Sequence, residues 1–124
     1  MMRSLASPGL HLIGDLHRCR CGDEYLRSRE VLRTHCLSLV AGVSLTVTGD
    51  YFHQFPDASG VTGVVVLSES HVALHTWPER NAVTLDVYVC NYETDNREKA
   101  RNLFNALLTT FSPEEPRICS LDRV

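Results

Sequence analysis

The chain has 124 residues, enough for one well-filled core and too few for two. Its 44% hydrophobic and 22% charged content suits a water-soluble globular fold. A net charge of −3 supplies no basic footprint for nucleic acid, and the longest unbroken aliphatic run, Val64 to Leu67, is far too short to span a bilayer.

Met1 to Leu10 carries a single arginine and no long apolar core, so it does not read as a secretion signal. Five cysteines, an odd number, do not suggest a disulfide framework, and the expected location is the cytoplasm. Cys19-x-Cys21 beside His17 has no second Cys or His pair at zinc-site spacing, so no metal site is expected.

In chain order, His11 to Leu16 alternates weakly and predicts a first strand ending near Cys19. Gly22-Asp23 then opens a helix, with Asp23 as its cap. Tyr25, Leu32, Cys36, Leu39 and Val40 fall on one face, and Gly42 is the stop. Val43 to Thr48 alternates strictly and predicts a half-buried strand that can run on to Phe55, before a turn over Pro56 to Gly60.

Val61 to Leu67 carries apolar residues at both parities, which predicts a central strand covered on both faces. His71 to Thr76 is a further extended piece, ended by Trp77-Pro78. In Ala82 to Cys90, Val83, Leu85, Val87 and Val89 point one way and Thr84, Asp86, Tyr88 and Cys90 the other. A second helix starts at Asp95, with Glu98 three residues on as in a capping box. It carries the stripe Ala100, Leu103, Phe104, Leu107, Leu108 and Phe111. Arg117 to Leu121 can return as a last strand.

This order predicts a single-domain α+β two-layer sandwich, a mainly antiparallel sheet with both helices on one face. The other face then needs a cover, and a second copy of the chain is the simplest one, giving a homodimer.

The chemistry concentrates where the β-run over Gly63 to Leu67 drives into Ser68, Glu69, Ser70, His71 and His75. Such a cluster is costly to bury unless its members pair. His71 and His75 share one face of a strand, and Cys90 lies on the polar face of its own. Ser70, His75 and Cys90 could be written as a hydrolase set, but no Gly-x-Ser-x-Gly elbow is present. Spacing alone leaves the reaction open.

Glu69-Ser70-His71 followed by His75-Thr76-Trp77-Pro78-Glu79 resembles the processing site of the prokaryotic S-adenosylmethionine decarboxylases. These are pyruvoyl enzymes that supply the aminopropyl donor for spermidine. The similarity runs from His11-Leu12-Ile13 through Phe52-His53-Gln54-Phe55 and Gly60-Val61-Thr62-Gly63 to Asp86 and Cys90, most of the chain in order.

The resemblance implies that Ser70 attacks the Glu69 carbonyl and becomes a pyruvoyl group, cutting the chain into 1–69 and 70–124. His75 matches the processing base that removes the Ser70 α-proton, and Thr62 the hydroxyl that steadies the intermediate. The new ketone serves as the electron sink that pyridoxal phosphate provides in other decarboxylases. Cys90 matches the acid that returns a proton to the substrate after carbon dioxide leaves. Phe55 matches an aromatic that stacks on adenine, and Glu79 a carboxylate that binds ribose hydroxyls.

Two departures stand out. Thr62 replaces the family's usual Ser, keeping the hydroxyl. Arg80-Asn81-Ala82-Val83-Thr84 stands where the family often has Tyr-Gly-Tyr-Ala-Ala, beside the nucleoside carboxylate. One alternative therefore keeps the mechanism and changes the substrate to arginine or ornithine, with Glu79, Asp86 or Asp15 facing its cationic end. Another is an uncleaved subunit that regulates a true decarboxylase.

Overall fold

The computed structural model describes residues 9–91 and 94–123. The N-terminal stretch read above for a secretion signal lies, up to residue 8, outside the described residues.

The first strand, β1, spans Gly9–Cys19 and buries Leu10, Leu12 and Leu16 on one side, leaving His11, Ile13, Asp15 and His17 on the other. The expected single helix is two, α1 over Glu24–Arg27 and α2 over Arg29–Gly42. Ser28 divides them: its backbone is extended, and its hydroxyl accepts from the Val31 N–H at 3.2 Å, capping α2. Asp23 makes no cap bond. Its carboxylate accepts from Arg27 one turn on, at 2.8 Å. Leu32, Cys36 and Val40, four apart, form the buried stripe of α2.

The strand expected from Val43 starts later, with β2 spanning Val47–Gln54. The end of α2 holds the intervening residues: Val43 N–H bonds back to the Leu39 and Val40 carbonyls, and Ser44 is left-handed with φ 63°. Pro56–Ala58 makes one 3-10 turn before β3, Val61–Leu67. A short turn leads to β4, His71–Trp77, and a second 3-10 turn to β5, Ala82–Cys90.

Helix α3 spans Arg97–Phe111 and buries Ala100, Leu103, Phe104, Leu107 and Phe111. Asn96, not Asp95, occupies its N-cap position, while the Asp95 carboxylate accepts from the Arg97 N–H at 3.0 Å. Left-handed Ser112 closes the helix, and β6 spans Pro113–Arg123, longer than the expected Arg117 to Leu121.

The six strands form one sheet in the order β2-β3-β4-β5-β1-β6, with every neighbouring pair antiparallel. Strand β1, from the start of the chain, thus lies between β5 and β6 from its end. Helix α2 packs on β2 and β3, α3 on β1 and β5, and α1 on β4. The layer expectation holds. A Cβ on Gly14 would meet the Phe104 ring of α3 at 3.0 Å, and one on Gly63 would run into Phe52 on the neighbouring strand.

The expectation that β3 is covered on both faces fails within one chain. Val61, Val65 and Leu67 are buried under the helices, whereas Val66 points away from them and is 44% exposed. Trp77 and Leu121 are also exposed.

Candidate active site

Glu69 and Ser70 occupy the turn between β3 and β4, where the Leu67 N–H donates to the Ser70 carbonyl at 2.9 Å. The Ser70 hydroxyl accepts from the backbone N–H of Cys90 at 3.1 Å. The Cys90 carbonyl accepts from the Asn96 side-chain amide at 2.8 Å, and Asn91 Oδ1 accepts from the Asn96 N–H at 2.8 Å. Both backbone groups of Cys90 are therefore fixed, one by the serine and one by the residue that starts α3.

Glu69, Ser70 and Cys90 line a cleft of about 500 Å³ at this end of the sheet, together with Ser44 and Lys99. That volume lies in the range of small-molecule sites. Cys19 and Cys36 are poor candidates for chemistry by comparison. Burial pushes the Cys36 thiol up to about 12, and burial together with the neighbouring Cys21 pushes Cys19 up to about 11.

Thr62 and His75 are register partners on β3 and β4 and share a hydrogen bond, Oγ1 to Nδ1, at 2.9 Å. They do not meet Ser70. His75 lies five residues along an extended strand from it, a span of roughly 17 Å. Phe55 follows β2 beside the first residues of β3, its N–H donating to the Gly60 carbonyl at 2.9 Å, and Glu79 sits in the turn after β4. Both belong to the Thr62–His75 end. Phe55 is packed edge-on against His53, with ring centroids 4.8 Å apart. Arg80, which replaces an aromatic of the family pattern, lies over Trp77 at 5.1 Å from the ring centroid. Glu69, Ser70 and Cys90 thus gather at one end of the β3–β4 hairpin, and Thr62, His75, Phe55 and Glu79 at the other.

On the uncovered face, His11 Nε2 and His71 Nε2 both contact Asp86 Oδ2, at 2.9 and 3.0 Å. These three atoms are spaced as metal ligands could be. The hydrogen bonding speaks against that role. Arg123 can only donate, and it reaches His11 Nδ1 at 2.9 Å, so Nε2 carries the hydrogen and donates to Asp86. A metal-binding histidine has the reverse arrangement, with its second nitrogen donating outward. The cluster reads as a hydrogen-bonded brace joining β1, β4 and β5.

Sequence reasoning gave no role to Thr76, Asn96 or Lys99. Buried Thr76 accepts from the Val61 N–H at 2.8 Å and donates to the Leu26 carbonyl at 2.6 Å, which ties β3, β4 and α1 beside the Thr62–His75 pair. Only the capping pattern around Asp95 pointed near Asn96. Nothing in the local pattern marked Lys99.

The S-adenosylmethionine decarboxylase family profile matches residues 10–124. The chain belongs to the S-adenosylmethionine decarboxylase family. Among relatives, the S-adenosylmethionine decarboxylase proenzyme of Archaeoglobus fulgidus is 40% identical over 115 residues, covering 93% of this chain and 96% of that protein. The proenzyme of Aquifex aeolicus is 34% identical over 108 residues, covering 86% of this chain and 73% of that protein. The crystal structure of the adenosylmethionine decarboxylase of Aquifex aeolicus superposes with a TM-score of 0.83 at 29% identity, covering 94% of this chain and 91% of that one. The resemblance first carried by Glu69-Ser70-His71 and His75 to Glu79 therefore extends to the fold of the family. Among the described residues, no helix is long and apolar enough to cross a membrane.

Proposed function

We propose that this chain is an S-adenosylmethionine decarboxylase proenzyme that cuts itself between Glu69 and Ser70 and works as a homodimer. The observation that carries the reading is Ser70 itself, held at the rim of a cleft by the Cys90 N–H. Every relative named above carries the same activity in its name, which favours S-adenosylmethionine over a basic amino acid and favours a catalyst over a regulatory subunit.

Ser70 Oγ, Cβ, Cα and N, with the Glu69 carbonyl carbon, form a five-membered ring when the hydroxyl attacks. The amide then becomes an ester. Loss of the Ser70 α-proton expels the Glu69 carboxylate, and one water converts the remaining enamine to a ketone and ammonia. The residues present fit this product, since Ser70 opens onto a cleft and its hydroxyl oxygen already accepts from the Cys90 N–H. The pyruvoyl group supplies an electron sink for decarboxylation.

The chain's own groups do the rest. Cys90, on the wall of the same cleft, returns a proton to the substrate carbon. His75, its ring fixed by Thr62, removes the Ser70 α-proton. Phe55 stacks on the adenine, and Glu79 accepts from the ribose hydroxyls. The last four residues are too far from Ser70 within one chain, so a two-fold partner must deliver them. The uncovered sheet face, with Val66 and Trp77 exposed, is the surface on which that partner seats. Arg80 is held over Trp77 and leaves Glu79 free to face the nucleoside.

The test is direct. Purified protein should run as fragments 1–69 and 70–124 and release carbon dioxide from S-adenosylmethionine without added pyridoxal phosphate, while Ser70→Ala stays intact and inactive. An intact wild-type chain that decarboxylates would refute the pyruvoyl reading.

A further inference from the structure

We propose that the carboxylate released at Glu69 by self-cleavage stays in the cleft as a fixed part of the mature site, with Lys99 as its counter-ion. This rests on the self-cleaving reading above and extends it to a residue that reading does not use.

The inference follows the atoms. The acyl shift joins the Glu69 carbonyl carbon to Ser70 Oγ. Elimination then breaks the Cβ–Oγ bond, so that oxygen departs as one of the two oxygens of the Glu69 α-carboxylate. In the uncut chain the same oxygen already accepts from the Cys90 N–H at 3.1 Å. The new carboxylate is therefore born on a hydrogen-bond donor. The nitrogen of Ser70 leaves as ammonia, which takes up a proton and diffuses away. Ordinary peptide hydrolysis leaves an ammonium beside the carboxylate, whereas this cleavage leaves a negative charge with no new positive one.

Among the described residues lining the cleft, Glu69 is the acid and Lys99 the base. Lys99 is also the single lysine of the chain. It is partly buried in the first turn of α3, and its Nζ donates to the Ser44 carbonyl at 3.2 Å, which keeps the ammonium on the cleft wall. The substrate must bring its own carboxylate to the reacting ketone. Without a cation, the Glu69 side chain, the new Glu69 terminus and the substrate carboxylate would share one cleft, and like charges in partly desolvated surroundings repel. With Lys99 paired to the Glu69 terminus, that repulsion is offset. The pair also joins the two products of cleavage, because Glu69 ends one fragment and Lys99 lies in the other.

Processed enzyme is treated in its native state with carboxypeptidase, and trimming of fragment 1–69 is followed by mass spectrometry. In wild type the Glu69 end should resist, and Lys99→Arg should match it. Lys99→Met should still yield both fragments, but its Glu69 end should be trimmed roughly five-fold faster, the effect of one partly exposed charge pair. Its KM for substrate should rise by a similar factor, with kcat changed less. Equal trimming of Lys99→Met and wild type overturns the proposal while leaving self-cleavage standing. A wild-type chain that never forms fragment 1–69 overturns both. Should Lys99→Met fail to mature, wild type is trimmed at about 0.1 M and about 1 M salt: faster trimming at high salt supports the pair, and no change overturns it.

Discussion

Thr62 and His75 face each other across β3 and β4, hydroxyl to ring nitrogen at 2.9 Å, at the far end of the hairpin from Ser70. If His75 acts on a serine, the geometry requires that the serine belong to another copy. Ser70→Ala and His75→Ala chains, each made alone, should stay uncut. Folded together, the His75→Ala chain should be cleaved by the His75 of its partner, while the Ser70→Ala chain remains whole. Chains of distinct mass resolve this on a gel. Absence of cleavage in the mixture, or cleavage of His75→Ala by itself, would sink the two-copy site.

Cys90 contributes its backbone N–H to Ser70 and also lines the cleft, and these two contributions separate by mutation. Cys90→Ala keeps the N–H, so both fragments should still form. Turnover per titrated pyruvoyl group should fall by about 10²–10⁴-fold if the thiol is the proton donor. An unchanged rate per site would reduce Cys90 to a packing residue.

Thr76 is the buried hydroxyl on which β3, β4 and α1 converge. Thr76→Val preserves the shape but leaves the Val61 N–H and the Leu26 carbonyl without their partner. The expected cost is about 1–3 kcal/mol in urea unfolding of the uncleaved Ser70→Ala background. Thr76→Ser should recover most of it, and a neutral Thr76→Val would show that the two backbone groups find other partners.

The cysteines should divide by burial. At pH 8, exposed Cys119 should alkylate fastest, and Cys36 and Cys19 should stay unlabelled until the chain unfolds. The folded Cys36 thiol titrates at about 12 against an ordinary 9.0. Above that ordinary value the unfolded chain has lost a proton that the folded chain keeps, so stability should decline as pH rises from about 9 towards 12. Urea midpoints at successive pH values check the slope, which should flatten in Cys36→Ala.

The parts of the fold that the sequence displayed were those where one residue pattern serves one surface. Val83, Leu85, Val87 and Val89 against Thr84, Asp86, Tyr88 and Cys90 gave β5 its faces, and the α3 stripe gave that helix its packing side. Tertiary detail overrode local pattern elsewhere. The alternation from Val43 resembled a strand, yet the carbonyls at the end of α2 captured Val43 and left-handed Ser44 delayed the ladder to Val47. Ser28 split one helical period into two helices because its hydroxyl serves better as a cap than as a helix-interior group. The long β6 was only partly visible, since an edge strand carries little apolar alternation. At the site, Glu69, Ser70 and Cys90 do converge. His75 looked close to Ser70 only in sequence, because extended backbone separates residues five apart far more than a helix would.

The placement of β1 between β5 and β6 would give self-cleavage a direction. After a cut at Glu69–Ser70, one fragment owns β1, β2 and β3 and the other β4, β5 and β6, so each is threaded through the sheet of the other. While folded, the nicked protein keeps every ladder. Once unfolded, it is two separate polymers that must find each other before β1 can be inserted, and recovery becomes a second-order event governed by dilution. The uncut chain can rebuild its sheet within one molecule; a cut protein would hold its sheet largely as an inheritance from the chain that made it.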